Sequence, residues 1–274
     1  MAVLAAVTAV GCDDGTGVRV VVRGTPPATP YSGALYVPTH GLDESGPRAL
    51  RLASGAAGRA LECDGEIFEG GGPDGWSRSE GGDTPEEGLE LYFDMFQPVQ
   101  PDHGYRAERR EADRVLYSFD VKGRTKVAVV VAKDQKDRPG WGPETNAACD
   151  PAELPAAYAA AQGWEVWTDR DGARVPVSRL ESSTGAEHCG WQSVCFLTLG
   201  GRTYVRDPEG VLARDGLLSA PYRKQVRMPA GARDTGYHYR DRHLWLTEDR
   251  DTAYVRTSSG VGAWPRAARE VACK

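Results

Sequence analysis

Six cysteines constrain this chain more than any other feature, because they are cross-links in one compartment and free thiols in another. Disulfides persist in secreted and extracytoplasmic proteins and are rare in the reducing cytosol. The fold that the sequence predicts therefore depends on export. The cysteines stand at positions Cys12, Cys63, Cys149, Cys189, Cys195 and Cys273.

Residues 1–12 have the pattern of an export signal. Ala2 to Val10 is apolar apart from Thr8, and Gly11-Cys12 follows. A membrane-spanning helix needs about 20 apolar residues, so this shorter run fits the core of a signal peptide instead. Its end resembles a bacterial lipobox, which implies that Cys12 is lipidated and becomes the mature N-terminus, although no Lys or Arg precedes the run. The alternatives are a cleaved secreted form without lipid and a buried N-terminal segment with a structural Cys12.

The polar and proline-rich composition of residues 13–30 predicts a tether. The stretch from Thr25 to Pro30 contains three prolines, which favour a stiff polyproline spacer. A length of 274 residues favours one or two domains. We expect an α+β domain over residues 31–155 and a mainly-β domain over residues 156–274, divided within the Ala- and Pro-rich stretch from Cys149 to Gly163.

The charge distribution argues against nucleic acid as a partner. The net charge is -6, the acidic excess lies before residue 160, and residues 161–274 are only slightly basic. Binding to phosphate backbones requires a clustered basic face. We therefore expect no nucleic acid, and the opposite signs of the two parts favour contact between them.

The run from Glu62 to Asp94 carries eleven carboxylates and one base, Arg78. It contains a formal G-x-G-x-x-G at Gly70–Gly75, but Pro73 and the lack of a following helix exclude a dinucleotide site. A solvated acidic loop is the favoured interpretation, and neither a metal nor a cofactor is predicted. A calcium loop is the alternative, although the EF-hand order is absent; its ligands would be Asp64, Glu66, Glu69, Asp74 and Asp83.

One amphipathic helix and one hairpin predict the α+β layer. Thr84-Pro85-Glu86-Glu87 is a capping box with proline at the first helical position. After it, apolar residues recur at helical spacing, at Leu89, Tyr92, Phe93 and Phe96. Alternating apolar residues on both sides of Lys122-Gly123 predict an antiparallel hairpin. Gly140-Trp141 begins a last strand that ends at Cys149.

This order of helix, hairpin and closing strand resembles a domain of many secreted actinobacterial proteins, some of them cystatin-like or NTF2-like. The resemblance covers roughly residues 55–150. Because its members share no activity, it implies a helix packed on an antiparallel sheet and no particular chemistry.

Short strands and turns dominate the second half. Strands are predicted over residues 165–168 and 174–177, joined by a turn at Asp169–Gly172, which could alternatively open a calcium loop. A β-meander with one aromatic residue per strand is predicted from Gly200 onward, with strands at Thr203–Val205, Leu244–Leu246, Ala253–Val255 and Gly262–Trp264.

The segment Glu187-His188-Cys189-Gly190-Trp191-Gln192-Ser193-Val194-Cys195 is the densest in reactive side chains. Together with Tyr204–Pro208 and Asp234–Tyr237, it resembles actinobacterial lipoproteins of unknown function, which implies an envelope location and no assigned activity. Three chemical interpretations stay open. They are a Cys189 or Cys195 thiolate beside His188, a zinc site of Glu187, His188 and a distant His238 or His243, and plain structure with Cys189 in a disulfide and Trp191 buried.

With Cys12 lipidated, five cysteines remain, so at least one is unpaired. Parsimony pairs Cys63 with Cys149 and Cys189 with Cys273, which leaves Cys195 as a buried thiol on a strand. The rival pairing joins Cys189 to Cys195 and leaves Cys273 free.

The sequence thus predicts an extracytoplasmic, membrane-anchored module that binds an envelope protein or a cell-wall glycan, without a spaced catalytic constellation. Exposed Trp76, Trp141 or Trp191 would contact the ligand. The alternative is a secreted hydrolase with an interdomain site, in which His188 is the base, Glu187 or Asp234 orients it, and Ser193 is the nucleophile. The candidate ligand or site residues are Glu187, His188, Trp191, Ser193, Asp234 and His238.

Overall fold

A five-stranded antiparallel sheet organises the first half of the computed structural model, which describes residues 30–39, 46–72, 76–77, 80–96, 101–269 and 271. The strands lie in the order β1-β5-β4-β3-β2, so β2 to β5 form a meander and β1 closes its edge. Their bounds are β1 (Ile67–Gly71), β2 (Arg106–Arg110), β3 (Arg114–Val121), β4 (Arg124–Gln135) and β5 (Arg138–Cys149).

The predicted hairpin forms the centre of this sheet. β3 pairs with β4 along its whole length, from Arg114 opposite Ala132 to Val121 opposite Arg124. The two turn residues have positive φ, 54° at Lys122 and 74° at Gly123. Positive φ at both positions is typical of the tight turn whose twist matches that of the strands. The hairpin prediction is therefore confirmed.

The helix α3 (Pro85–Phe96) covers one face of the sheet. Its capping box is present, because the Thr84 hydroxyl accepts from Glu87 N at 3.2 Å and the Glu87 carboxylate accepts from Thr84 N at 3.2 Å. The described part of its apolar stripe is buried against β3, β4 and β5, as predicted. That part consists of Leu89, Tyr92 and Phe93.

Two short helices, α1 (Pro47–Ala53) and α2 (Gly55–Ala60), cover the opposite face. Leu35 and Ile67 join them over the same strands. Residues 125–132 of β4 are consequently buried on both sides of the sheet. A central strand that is buried on both faces has a continuous run of apolar residues. In β4 this run is Val127-Ala128-Val129-Val130-Val131.

Strand β1 corrects the prediction of a solvated acidic loop. Glu69 pairs with Ala148 and Gly70 pairs with Ala147, so this part of the acidic run is the edge of the sheet. A strand of five residues that contains two glycines carries little local signal for β structure. Its hydrogen bonds come from β5, far along the chain, and local pattern does not reveal such a partner.

A disulfide joins Cys63 to Cys149, with the Cα atoms 5.4 Å apart. It links the residues before β1 to the end of β5, and Cys149 is buried in the core. The predicted pairing is confirmed. Residues 1–29, with the predicted signal segment, Cys12 and most of the tether, lie outside the described residues, as does Cys273.

Two smaller sheets form the second half. A three-stranded sheet has the order β6-β7-β8, and a four-stranded meander has the order β12-β11-β10-β9. Trp167, Tyr204 and Trp264 are buried in the core that the two sheets share. The elements are α4 (Ala156–Ala161), β6 (Leu180–Thr184), β7 (Cys195–Leu199), β8 (Arg202–Arg206), α5 (Val211–Arg214), β9 (Arg233–Tyr239), β10 (Arg242–Leu246), β11 (Thr252–Thr257) and β12 (Gly260–Pro265).

The fold class is therefore a helix on an antiparallel sheet followed by a mainly-β region, as predicted. The predicted strands at 165–168 and 174–177 do not form. The structure has only isolated β-bridges there, which join Thr168 to Arg174 and Thr168 to His238. The turn between them is confirmed, because Asp169 Oδ1 accepts from Asp171 N at 3.0 Å and Ala173 N at 2.9 Å. Such a side chain stabilises a turn locally.

Asp150 holds the residues at the seam between the halves. Its buried carboxylate accepts from Ala152 N at 2.8 Å, from Val177 N at 2.8 Å and from Ser178 N at 2.9 Å. Three backbone donors satisfy a buried carboxylate that would otherwise be costly to desolvate. The division into domains after residue 155 stays a prediction.

Candidate functional site

The three-stranded sheet has one face on the core and one open face. Leu180, Leu197 and Tyr204 are fully buried in the core. Side chains alternate along a strand, so their neighbours lie on the other face, where Glu181 is opposite Thr198 and Thr198 is opposite Thr203. The polar open face is the floor of a groove of about 450 Å³.

A small apolar cluster covers only part of this open face. Val205 of β8 is buried against Val194 and Leu212, and Trp191 and Phe196 pack at the edge of that cluster. The groove lies where this cover stops. One groove wall is therefore aromatic, and the floor carries hydroxyl groups and the Glu181 carboxylate.

Trp191 forms the aromatic wall together with Phe196, with ring centroids 5.9 Å apart. Trp191 packs directly on the backbone of Gly185, where an added Cβ would lie 2.6 Å from the Trp191 Cβ. Only glycine allows this approach. The indole is half-buried, so part of it stays open to the groove.

The loop before β7 holds Trp191 in place. Ala186 O accepts from Cys189 N and from Trp191 N, both at 3.2 Å, and Gly190 takes the left-handed conformation with φ 70°. Cys189 is disulfide-bonded, so a covalent bond restrains this loop as well. Restraints of this kind reduce the entropy that the site loses when a ligand binds.

Several polar side chains in the groove have unused hydrogen-bonding capacity. Thr198 Oγ1 and Thr203 Oγ1 lie 2.9 Å apart and bond to each other. Five other polar side chains line the groove without a hydrogen bond to any described residue: Glu181, Ser183, Thr184, His188 and Arg269. A half-open pocket with an aromatic wall and a few polar groups is the common form of a small-ligand site.

The structure brings two of the six predicted site residues into this groove, His188 and Trp191. Glu187 is exposed beside them, and the half-buried Ser193 does not line the groove. The other two lie on β9: Asp234 accepts from Gly236 N at 2.8 Å, and His238 Nε2 lies 2.9 Å from Thr168 Oγ1. His238 also stacks on the ring of His243, with centroids 5.7 Å apart.

The predicted tryptophan contacts need correction. Trp76 is 2% exposed and Trp141 is 8% exposed, so neither ring is available to a ligand. Trp76 packs against Gly142, where an added Cβ would lie 2.4 Å from the indole. Trp191 is half-buried rather than buried, and it is the one of the three that lines the groove.

The hydrolase arrangement is not assembled. Among the described residues, no hydrogen bond joins His188 to Ser193, Glu187 or Asp234. Adjacent positions on a short turn present the side chains of Glu187 and His188 to solvent instead. A base and its nucleophile have to lie within hydrogen-bond reach to act together.

The cysteine interpretations are also resolved in part. Cys189 is disulfide-bonded and so offers no thiolate, and the rival bond from Cys189 to Cys195 is wrong because Cys195 is a free thiol. Cys195 is half-buried, not buried, because β7 belongs to a thin sheet. The pairing of Cys189 with Cys273 stays a prediction.

Neither predicted metal set forms a cluster within the part of the chain that the structure describes. Among the described residues, the one group close enough to share an ion is Cys63, Cys149 and Glu153, and its two sulfur atoms already form the disulfide. In the calcium set, Asp64 is bonded to Lys126 and Arg124, and Asp74 lies outside the described residues.

The polar groove residues that sequence reasoning missed are Glu181, Ser183, Thr184, Thr198, Thr203 and Arg269. Polar residues on exposed strand faces are common, so only the pairing of β6, β7 and β8 places the strand residues together, and Arg269 reaches the groove from the segment after β12. None of the described helices is long and apolar enough to cross a bilayer. Comparison with protein families, with curated proteins and with solved structures finds no match to this chain.

Proposed function

We propose that this chain is an extracytoplasmic lipoprotein of the cell envelope that acts as a binding module, with a cell-wall glycan as the ligand of the Trp191 groove. The observation that carries the proposal is the half-buried indole of Trp191, which lines the same groove as the hydroxyl groups and the carboxylate of the floor. Sugar rings present an apolar face of C–H groups and a rim of hydroxyl groups. Such a ligand matches an aromatic wall beside polar side chains.

The cross-links support the location. The disulfide between Cys63 and Cys149 and the bonded state of Cys189 suit an oxidising compartment. The lipobox-like Gly11-Cys12 junction supplies the anchor in this proposal. A lipid chain on Cys12 would hold the protein at the outer face of the membrane, and the tether would give the body reach.

A purely binding role fits the groove better than hydrolysis. The described groove residues contain no base bonded to a nucleophile. Their aromatic and hydroxyl groups serve recognition without such a pair. The absence of catalysis is part of the proposal and is tested by the same experiment, through the integrity of the recovered glycan.

Co-sedimentation with purified cell-wall sacculi tests the glycan proposal. The full chain with Cys12→Ser, which stays out of the membrane, is expected to bind sacculi saturably. Adding Trp191→Ala is expected to raise the dissociation constant at least about tenfold. Trp245→Ala is the matched control, because Trp245 is also half-buried but lies on β10, outside the groove. Equal binding of the two variants, or no binding by the parent chain, would refute the proposal.

Two further outcomes separate the alternatives. Crosslinking in intact envelopes that captures one protein partner through the groove, with no binding to sacculi, would favour the envelope-protein interpretation. Release of soluble glycan that depends on His188 and Ser193 would favour the hydrolase.

Lipidation is tested on Cys12 directly. Cells that express the chain and grow with radiolabelled palmitate are expected to label the wild type and Cys195→Ser, but not Cys12→Ser. Cys195 serves as the control because it is a free thiol. Label on all three proteins, or on none of them, would contradict the anchor.

A further inference from the structure

A second cavity, of about 690 Å³, lies at the seam between the two halves of the chain. Lys122, Arg124 and Lys126 line it from the first half, and Arg174 lines it from the second. Its size lies within the range for small organic ligands. It shares no lining residue with the Trp191 groove.

The acidic groups of this cavity are already bonded. Lys126 is buried, and its ammonium group donates to Glu153 at 2.6 Å and to Asp64 at 3.0 Å. Asp64 also pairs with Arg124. Glu153 accepts in addition from the backbone of Asp64 at 2.7 Å and of Gly65 at 3.0 Å. Both carboxylates are thus neutralised by cations on their own half.

The remaining cations have no counter-ion in the cavity. Lys122 is exposed and forms no ion pair with a described residue. Arg174 donates to the carbonyl oxygen of Leu154, and its other terminal nitrogen, Nη2, is buried without a hydrogen bond. Burial lowers the pKa of Arg174, and the Asp150 charge opposes this shift. A desolvated guanidinium favours an anionic partner.

The charges of the cavity differ in sign from those of the protein. Four cations and two carboxylates line it, and the charge of the buried Asp150 carboxylate reaches Arg174 from outside the lining, on a chain whose net charge is -6. A phosphate monoester carries about -1.5 to -2 at pH 7. Its three acceptor oxygens and its higher charge suit the two lining cations without an ion pair, Lys122 and Arg174, better than a single carboxylate does.

We propose that the seam cavity lined by Lys122, Arg124 and Arg174 binds a small organic phosphate. Arg174 is the main contact, because the residue is half-buried at the cavity wall and its Nη2 atom has no hydrogen-bond acceptor. Lys122 adds charge from the rim. The proposal is independent of the glycan groove and of lipidation, since it depends on different residues.

Thermal unfolding of the full chain in glycerol 3-phosphate, at ionic strength held constant with chloride, tests the proposal. A ligand that binds only the folded state raises the melting temperature saturably. We expect such a rise for the wild type. Relative to the wild type, the dissociation constant should be at least about tenfold higher for Arg174→Met and several-fold higher for Lys122→Met. Arg227→Met is the matched control, because Arg227 is exposed, lies outside the cavity and loses the same charge.

Each outcome decides the question. If Arg174→Met does not fold, the exposed Lys122→Met still reports on the site through its weakened affinity. Inorganic phosphate and acetate distinguish the chemistry: phosphate should compete with glycerol 3-phosphate, and acetate should not. Equal stabilisation by chloride and phosphate, acetate binding as tight as that of phosphate, or an equal loss of affinity in Arg227→Met would overturn the proposal.

Discussion

The two halves of this chain differ in how completely the faces of their β-sheets are covered. In the first half, helices and the segment with Leu35 cover both faces of a five-stranded sheet, and eight consecutive residues of β4 are buried. In the second half, the strands are short and the three-stranded sheet keeps one face partly open. A sheet closed on both faces supplies stability, whereas a thin open sheet leaves a surface on which a ligand can bind.

This difference also separates the two kinds of tryptophan. Trp76 and Trp141 are core residues of the closed half, while Trp191 is half-buried at the edge of the open sheet. The same residue type therefore has a packing role in one half and a candidate binding role in the other. Its surroundings decide which role it takes.

The disulfide provides the strongest test of the comparison. Cys63→Ala with Cys149→Ala removes a cross-link between residues 86 positions apart, and it is expected to lower the free energy of unfolding by about 4 to 5 kcal/mol. Urea unfolding of the double variant measures the loss. Cys195→Ala is the control and should change stability by less than about 1 kcal/mol. A loss in the double variant as small as the one expected for the control would mean that the closed half does not depend on its cross-link.

Leucine truncations compare the two cores directly. Leu116 on β3 is fully buried, whereas Leu199 on β7 is half-buried. Leu116→Ala should lower the free energy of unfolding by about 2 to 5 kcal/mol, because it leaves a cavity. Leu199→Ala should lower it by only about 1 kcal/mol, because less apolar area is lost. Equal losses in chemical denaturation would break the distinction between a closed and an open half.

Alkaline titration examines the interior of the closed half. Burial raises the pKa of Tyr105 well above 10, so the folded state keeps a proton that the unfolded state releases near pH 10. Stability is therefore complete below about pH 10 and falls above it, by about 1.4 kcal/mol per pH unit for this tyrosine. Tyr105→Phe should make the fall shallower, and the exposed Tyr36→Phe should not. An unchanged slope in Tyr105→Phe would contradict the assignment.

The smallest effect concerns two threonines. Thr84→Ala removes the cap of α3 and should lower the free energy of unfolding by about 1 kcal/mol. Thr184→Ala, at an exposed position that lines the groove, should stay within about 0.5 kcal/mol of the wild type. Thermal unfolding of both variants checks the contrast. A larger loss in Thr184→Ala would show that the groove floor is structural.

Sequence reasoning succeeded where the signal was local. The capping box at Thr84, the turn at Lys122-Gly123 and the Asp169 turn depend on residues within a few positions of one another, and all three are present. It failed at β1, whose strand exists because β5 offers it hydrogen bonds. In the candidate site, sequence reasoning identified His188 and Trp191, because cysteines mark that segment. It missed the polar residues of β6, β7 and β8 that form the floor of the groove.

The sequence by itself determined which residues share a strand face or a helix stripe, because these periods are properties of the backbone. It also determined that the cysteines could cross-link an exported chain. Only the tertiary structure decided which faces are covered, that Trp76 and Trp141 are buried, and that Glu181, Thr198 and Thr203 meet beside Trp191. The physical reason is that covering a face requires segments distant along the chain, and the free energy of burial depends on their packing and not on local pattern.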